Sequence, residues 1–390
     1  MLKKEYSYYL ELLRCCLNNS APSLPPENLE WNDLLDVADS TGTEGLLFSP
    51  LSKLSGNIVP QNIILEAEKQ EALAKYQEAI QYFSGKSVMD RFEKEGIDYS
   101  PLKGWQFRSI YPKPYYRSMS DIDIFTHEKD RKLIQNVLKD IGFRYRGHTS
   151  VHDIYGNDAG VNLEIHQSLL SEHSRDKNIF RDPWQRMHKV SGTLHMWQFS
   201  PEDTYLYLIL HSEKHFNQSG LGPRSVMDTA VLLSNYPTLD LKNACLELND
   251  SELRGFSKTM IDLAFLWFLG REVSPVSEEL QKYIIESGIH GFQNEHVLQR
   301  LPSRKPRNPR IYLFMDRLFP PKEWLQIDEP ILKRVPLLMP FCLLHRNIKI
   351  ICKWGKNIQG EIRNINHLDT DSIDMHYRLM DEIYHRHENK

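Results

Sequence analysis

The sequence lacks an apolar run of the about 18 or more residues that a membrane-spanning helix needs. The longest candidate, Val335 to Leu344, is interrupted by two prolines. We expect a buried helix there, with an interfacial segment as the alternative. The N-terminus carries charges throughout and has no apolar core of the kind that a secretory signal requires. These absences argue against a membrane-spanning or exported protein.

Cysteine is scarce too. The chain has five cysteines among 390 residues, with no CxxC pair, and Cys15 and Cys16 are adjacent. A bridge between neighbouring cysteines would be strained, so we expect neither a disulfide framework nor a zinc ribbon, and we expect a cytoplasmic protein. Excess charge is missing as well. Lys and Arg total 48 against 52 Asp and Glu, so nothing marks a general nucleic-acid binder.

What remains is an ordinary globular composition, 41% hydrophobic and 26% charged. The predicted fold class is α+β, a small mixed β-sheet core with helices, flanked by N-terminal and C-terminal helical regions. We predict four parts: an N-terminal helical region (1–95), the sheet-containing core (96–198), a helical domain that closes a cleft (199–300), and a C-terminal extension with a basic linker and a polar tail (301–390).

Local patterns support this division. Gln61 to Glu95 is rich in helix-forming residues, with a candidate break at Ser84-Gly85. The core follows in a β-α-β-α-β-β order, and its Asp/Ile alternation from Ser118 to Phe125 is typical of a half-buried strand. A second helical section begins at Ser200, a predicted N-cap followed by proline and two acidic residues.

Three carboxylates form the main candidate site. Asp121 and Asp123 are two residues apart on the predicted strand, so their side chains leave the same face. Their repulsion is costly without a cation between them, and Mg²⁺ prefers such oxygen ligands. Glu164, on a later strand, faces the same point if that strand lies alongside. Three such carboxylates suit a two-metal phosphoryl or nucleotidyl transfer site; the alternative for a DxD motif alone is surface charge.

These motifs carry a family resemblance. The matching segments are LKG at Leu102 to Gly104, RSMSDIDIF at Arg117 to Phe125 and LEIHQSL at Leu163 to Leu169. They resemble the nucleotidyltransferase superfamily, the fold shared with DNA polymerase β and the aminoglycoside nucleotidyltransferases. More narrowly, the chain is similar to a bacterial family of uncharacterised nucleotidyltransferases. The motif-bearing region spans residues 101–228.

The resemblance implies a reaction and a set of roles. Asp121 and Asp123 would bind two Mg²⁺ ions, with Mn²⁺ as an alternative, against the triphosphate of a nucleotide. Glu164 would hold one metal or accept the proton of the acceptor hydroxyl. In the superfamily a Gly-Ser pair presents backbone N–H groups to the phosphates. Here Lys103-Gly104 stands in its place, so the serine hydroxyl is missing.

Further candidates lie around the carboxylates. Arg117 is interpreted as a phosphate clamp or as an ion-pair partner of Asp121. His211, Lys214 and His215 share one helix face and form either a cationic patch facing the nucleotide or a solvated surface. His166 orients Glu164 or is a core histidine, and Arg224 and Asp228 form an i, i+4 pair. The aromatic residues near the motifs are expected to pack: Trp105, Phe107, Tyr115 and Tyr116. The basic residues of the 300–310 segment are expected to form a linker or to contact an anionic acceptor: Arg300, Arg304, Lys305, Arg307 and Arg310.

Three functions compete at this stage. The leading one is transfer of a nucleotidyl group from a nucleoside triphosphate to a hydroxyl or amine. The acceptor is unidentified, with a small molecule or sugar favoured over a protein or tRNA. The second is a catalytically silent regulator that binds a nucleotide or a partner. The third is a structural protein with an incidental DxD. Under the first, we expect Asp123→Asn to abolish transfer and to leave the fold intact by relieving repulsion.

Overall fold

The structure is a computed structural model. It describes residues 2–385 apart from residues 57, 172–173, 289–294, 299, 303–304, 321, 323–324, 327–328, 350–364, 366–367 and 369. Among the described residues, no helix combines the length and the apolar character needed to cross a bilayer. The four cysteines in this part of the chain are free thiols, and Cys352 lies outside it.

The chain begins with four helices, α1 (Lys4–Asn18), α2 (Trp31–Thr41), α3 (Phe48–Leu51) and α4 (Gln61–Glu95). The long helix α4 has the predicted bounds, but the break proposed at Ser84-Gly85 is wrong because the helix runs through it. Gly85 serves packing instead. A Cβ atom there would lie 2.3 Å from the ring of Trp105, which stacks on Tyr82.

We therefore expect Gly85→Ala to destabilise the protein by about 1–3 kcal/mol, since the added methyl overpacks a rigid ring. Helix propensity alone would give the opposite sign, a gain of up to about 1 kcal/mol. Urea unfolding measures the difference. Ser87→Ala, an exposed position of the same helix, is the matched control. A stabilising Gly85→Ala would contradict the packing argument.

A five-stranded sheet follows, composed of β1 (Tyr99–Pro101), β2 (Asp121–Thr126), β3 (Arg144–His148), β4 (His152–Gly156) and β5 (Asn162–His166). The strand order is β1-β2-β5-β4-β3. β2 and β5 pair in parallel, and the other pairs are antiparallel. The sheet is therefore small and mixed, as expected. The edge strand β3 was not predicted, because its mostly exposed polar sequence shows no apolar alternation.

Two short helices flank the sheet, α5 (Lys103–Phe107) and α6 (Arg131–Asp140). α5 starts two residues before and ends three residues before the predicted bounds, Trp105 and Ile110. α6 buries Ile134, Val137 and Leu138 as predicted. Leu133, assigned to the same face, is 42% exposed instead.

The second helical section contains α7 (Pro201–Ser219), α8 (Pro223–Asn235), α9 (Leu241–Glu247), α10 (Ser251–Ala264) and α11 (Glu278–Ser287). Ser200 caps α7 as predicted, since its Oγ accepts a 3.1 Å hydrogen bond from the Asp203 N–H. A hairpin that was not predicted precedes α7, β6 (Met187–Lys189) with β7 (Trp197–Phe199). Beyond α11 lie α12 (Glu295–Leu298), α13 (Pro309–Leu318), α14 (339–349) and α15 (Thr370–His385).

The hydrophobic core leaves one face of the sheet free for polar side chains. Ile122, Ile124, Leu163 and Ile165 are buried in a cluster together with residues of α4 and α6. A larger cluster joins the N-terminal helices to α7–α11. The predicted four-part division of the chain remains a prediction.

Candidate active site

Strand register brings the three predicted carboxylates together. In the parallel pair of β2 and β5, Asp123 lies opposite Glu164. Side chains at i and i+2 share a face, so Asp121 joins them while Ile122 and Ile124 point into the core. Ligand oxygens of Asp121, Asp123 and Glu164 lie within 4.8 Å of one another. The third function considered, an incidental DxD, requires these side chains to diverge, and they converge.

Asp123 is the buried centre of the cluster, only 3% exposed. Its Oδ1 accepts hydrogen bonds from Lys103 Nζ at 2.6 Å and from His166 Nε2 at 2.7 Å. Burial alone would raise the pKa of Asp123, but the Lys103 ammonium and the His166 imidazole lower it below its ordinary value. Asp123 is thus a stabilised anion, and the expectation that Asp123→Asn relieves repulsion is wrong.

The repulsion falls on Asp121 instead. Burial, then the neighbouring Asp123 and Glu164 carboxylates, raise the pKa of Asp121 to about 6. Within the described part of the chain, the hydroxyl of Ser120 donates a hydrogen bond to Asp121 Oδ1 at 3.0 Å. The protein's own groups therefore stabilise the negative charge of the Asp121 carboxylate poorly. A cation bound among the three carboxylates would supply the missing charge.

Glu164 faces two histidines. His152 Nε2 lies 3.4 Å from Glu164 Oε1, and His166 Nε2 lies 3.4 Å from Oε2. Burial would raise the pKa of Glu164, but the hydrogen bond from His166 and the charge of the histidines lower it. His152 was given no role from the sequence. Its pairing opposite His166 in the antiparallel β4–β5 ladder is the signal that could have found it.

The donor set fits a hard divalent cation. Asp121, Asp123 and Glu164 offer carboxylate oxygens only, the ligands that Mg²⁺ takes together with substrate phosphates. Burial, and after it the neighbouring carboxylates, raise the pKa of Asp121, and a bound cation would offset the effect of the carboxylates. His152 and His166, with Glu164, form a second group of ligand atoms within the same 4.8 Å limit.

The Lys103-Gly104 turn packs closely against the site. Lys103 has a left-handed backbone, with φ at 46°, and this conformation turns the chain from β1 into α5. A Cβ atom on Gly104 would lie 2.5 Å from Met119 Cγ, so this position favours glycine. Although burial opposes its charge, Asp123 raises the pKa of Lys103 above its ordinary value.

Helix α7 forms the opposite wall. A cavity of about 110 Å³ lies between α7, α8 and the Lys103 turn. On α7, His211 Nε2 and His215 Nε2 are 3.2 Å apart. Burial, then the nearby Lys103, lower the pKa of Lys214, which also lies within electrostatic reach of Glu164 and Asp123. Burial lowers the pKa of His211 and of His215, so the two histidines of the predicted cationic patch are uncharged at neutral pH, although both line the cavity.

Tyr207 lies on the same wall and was missed from the sequence. Its ring is buried, and its hydroxyl has no hydrogen-bond partner in the described part of the chain. Burial raises the pKa of this hydroxyl, and it lies within electrostatic reach of Lys103 and Asp123. A buried hydroxyl without a partner is costly, so this group is suited to bonding a ligand in the cavity that it lines.

Arg117 lines the cavity but does not pair with Asp121. Its Nε donates to Asp228 Oδ1 at 2.7 Å, and the Tyr111 hydroxyl donates to the same oxygen at 2.7 Å. The predicted Arg224–Asp228 pair is replaced by these bonds. Arg224 Nη1 lies instead 3.4 Å from the Ser118 carbonyl oxygen.

Three residues of the basic 300–310 segment form bonds within the chain, whereas Arg307 is exposed. Arg300 donates to Asp316 at 2.8 Å, Lys305 pairs with Asp374, and Arg310 Nε donates to the Leu368 carbonyl oxygen at 2.9 Å. Arg304 lies outside the described residues. The aromatic residues near the motifs pack, as expected: Trp105 on Gly85, Phe107 and Tyr116 in the core, and Tyr115 against Tyr116.

Comparisons with known proteins place the chain in a family. A crystal structure of ANT(2″)-Ia in complex with adenylyl-2″-tobramycin is similar at 9% identity and a TM-score of 0.33, covering 45% of this chain and 95% of that one. A solution structure of the antibiotic-resistance factor ANT(2″)-Ia is similar at 8% identity and a TM-score of 0.34, and the match covers 47% of this chain and 94% of that one. No curated protein matches. Residues 27–269 match the family described as uncharacterised nucleotidyltransferase, and the chain belongs to that family.

Proposed function

We propose that the protein is a metal-dependent nucleotidyltransferase that moves a nucleoside monophosphate from a nucleoside triphosphate to an acceptor hydroxyl or amine. The observation that carries the proposal is the convergence of Asp121, Asp123 and Glu164 within 4.8 Å. The acceptor heteroatom forms a bond to the α-phosphorus, the bond from that phosphorus to the α,β-bridging oxygen breaks, and pyrophosphate leaves with that electron pair.

Each carboxylate has a role in this proposal. Asp121, Asp123 and Glu164 would hold one or two Mg²⁺ ions, with Mn²⁺ as the alternative, and a bound ion supplies charge neutralisation at the phosphates. Glu164 stays ionised at neutral pH because its pKa is lowered. It is therefore able to accept the proton that the acceptor loses.

The nucleotide would lie between the carboxylates and α7. Lys103, Gly104, Arg117, Lys214 and His215 are the proposed nucleotide-binding residues. Lys214 carries the strongest argument, since it forms no ion pair with another described residue, is half-buried and lies within electrostatic reach of Glu164 and Asp123. A triphosphate is the anion that would pair with it while also binding metal on the carboxylates.

Tyr207→Phe tests whether the cavity binds a ligand through the unpartnered hydroxyl. We expect weaker Mg²⁺-dependent nucleotide binding, by on the order of 10-fold, because one hydrogen bond to the ligand is lost. Stability should not fall, because the hydroxyl has no partner to lose. Calorimetry and urea unfolding measure the two effects.

Tyr205→Phe is the matched control on the same helix. The Tyr205 hydroxyl is buried and hydrogen-bonded to Ser257 Oγ at 2.5 Å. Its loss should cost about 1 kcal/mol of stability and leave nucleotide affinity unchanged. If Tyr207→Phe behaved like Tyr205→Phe, the hydroxyl would have no part in binding.

The experiment that tests the proposal is calorimetric titration of ATP, GTP, CTP and UTP, each with and without Mg²⁺. Metal-dependent binding of at least one nucleotide is the expected result. Transfer is then followed with that nucleotide labelled at its α-phosphate, in the presence of small-molecule, protein and tRNA acceptor pools. No binding of any nucleotide would contradict the proposed function.

The second candidate is a silent regulator that binds a nucleotide without transferring it. The observation in its favour is Lys103, which stands where the superfamily has glycine and donates to Asp123, a proposed metal ligand. Nucleotide binding with no labelled product from any acceptor pool would favour the regulator. Labelled product would exclude it.

A further inference from the structure

The C-terminal part of the chain contains a helix that is apolar on two sides. On its inner side, Cys342 is buried in a cluster with Leu325 and Leu332. On its outer side, four large apolar residues are exposed, by 88%, 71%, 61% and 52%: Leu337, Phe341, Leu344 and Ile348. We call these four the outer stripe. An exposed apolar stripe of this kind marks a surface that contacts a partner or a membrane.

The outer stripe has helical periodicity. Phe341, Leu344 and Ile348 are spaced i, i+3 and i+7 along α14, and Leu337 lies one turn earlier in the 3₁₀ turn Pro336–Leu338. Singly exposed apolar side chains are common on protein surfaces and need no explanation, whereas contiguous ones mark interaction sites. The expectation that the helix from Val335 to Leu344 is buried is thus wrong for the face that carries the outer stripe.

Along the sequence, the charged residues next to the stripe are basic, although the carboxylate of Glu329 lies 2.9 Å from His345 Nδ1 on α14. Between Glu329 and Glu361 the sequence contains no acidic residue but six basic ones: Lys333, Arg334, Arg346, Lys349, Lys353 and Lys356. Of these, Arg334 and Lys349 are exposed on either side of the stripe. Apolar side chains flanked by Lys and Arg are typical of helices that lie in the interface of an anionic membrane.

We propose that the outer stripe binds an anionic lipid surface. The apolar side chains enter the boundary between headgroups and acyl chains, and the flanking basic side chains contact lipid phosphates. Association with a second copy through the same face would bring two positively charged segments together, and like charges oppose such contact. This inference is independent of the proposed function, since no residue of the stripe lines the cavity.

Vesicle co-sedimentation of the full-length protein tests the inference. Vesicles of phosphatidylcholine alone are compared with vesicles that also contain phosphatidylglycerol. We expect binding to the anionic vesicles, weakened by salt because the charge contacts are exposed. Each of Arg334→Ala and Lys349→Ala should reduce the partition coefficient about five-fold, the factor that corresponds to about 1 kcal/mol per basic side chain.

The apolar contribution is tested by the double variant Phe341→Ser/Leu344→Ser. Its matched control is Phe83→Ser/Leu194→Ser, which removes two equally exposed apolar side chains elsewhere, each 70% exposed. Because all four side chains are exposed, circular dichroism should show folded protein in each case. We expect the first variant to lose vesicle binding and the control to retain it.

Three results would overturn the inference. The first is absence of wild-type binding to the anionic vesicles. The second is equal loss of binding in both double variants. The third is a dimer in light scattering that dissociates in Phe341→Ser/Leu344→Ser, because a second copy of the chain would then cover the stripe.

Discussion

Asp123→Asn should weaken Mg²⁺-dependent nucleotide binding by on the order of 100-fold or more, since even residues behind metal ligands change metal affinity 10–100-fold. It should also lower the free energy of unfolding by about 3 kcal/mol, because it breaks a buried charge pair and leaves one partner uncompensated. That partner is Lys103, whose Nζ lies 2.6 Å from Asp123. Calorimetry and urea unfolding measure both effects, and label transfer should be lost with the nucleotide.

The control has to separate loss of the site from loss of stability. Asp153 is another buried carboxylate of the same sheet, 2% exposed, and it pairs with Arg131 through bonds of 2.7 and 2.6 Å. Asp153→Asn should cost less stability, because the side chain of its partner Arg131 is 42% exposed and stays solvated, and it should leave nucleotide affinity intact. Wild-type affinity in Asp123→Asn would show that Asp123 is a structural anion and that the metal site has been wrongly assigned.

The carboxylate cluster was predictable because its information is local. A period of two fixes which side chains of β2 share a face, whatever the sheet around them. Glu164 needed one further condition, that β5 lies beside β2, and the structure meets it with the parallel register. The alternation of Ile122 and Ile124 with the aspartates also predicted correctly which face of this strand packs into the core.

Contacts between distant segments were not predictable in the same way. Arg117 was interpreted as a phosphate clamp or as a partner of Asp121, four residues away, but in the structure it pairs with Asp228, 111 residues away. Tyr207 lies on a helix rich in apolar residues, and only the packing of α7 against the sheet turns its hydroxyl towards Lys103 and Asp123. The edge strand β3 was missed for a different reason, since an exposed edge carries no apolar pattern.

Those distant contacts also make the two aspartates of the DxD motif differ in how well their ionised forms are stabilised. The sequence treats Asp121 and Asp123 alike, as two carboxylates that repel each other. In the folded protein Lys103 and His166 both bond to Asp123, and neither bonds to Asp121. The fold therefore stabilises the ionised carboxylate of Asp123 and destabilises that of Asp121.

Asp121→Asn should accordingly separate stability from function. We expect Mg²⁺-dependent nucleotide affinity to fall by on the order of 100-fold, as for a lost metal ligand. The free energy of unfolding without metal should rise by on the order of 2 kcal/mol, because a carboxylate held at an unfavourable pKa is removed. Asp158→Asn, at a carboxylate whose side chain is 79% exposed, should change neither quantity.

The pH dependence of the free energy of unfolding checks independently that Asp121→Asn stabilises the protein. The pKa of Asp121 is raised from 3.8 to about 6 in the folded protein, so the folded state binds its proton more tightly than the unfolded chain does. The wild-type protein therefore loses stability as pH rises through this range, and the loss is complete above about pH 6. The advantage of Asp121→Asn should be full at pH 7 and shrink towards pH 4, in unfolding measured without divalent metal. A variant less stable than wild type at pH 7 would show that Asp121 supports the fold, and the cation that we place beside it would lose its main electrostatic argument.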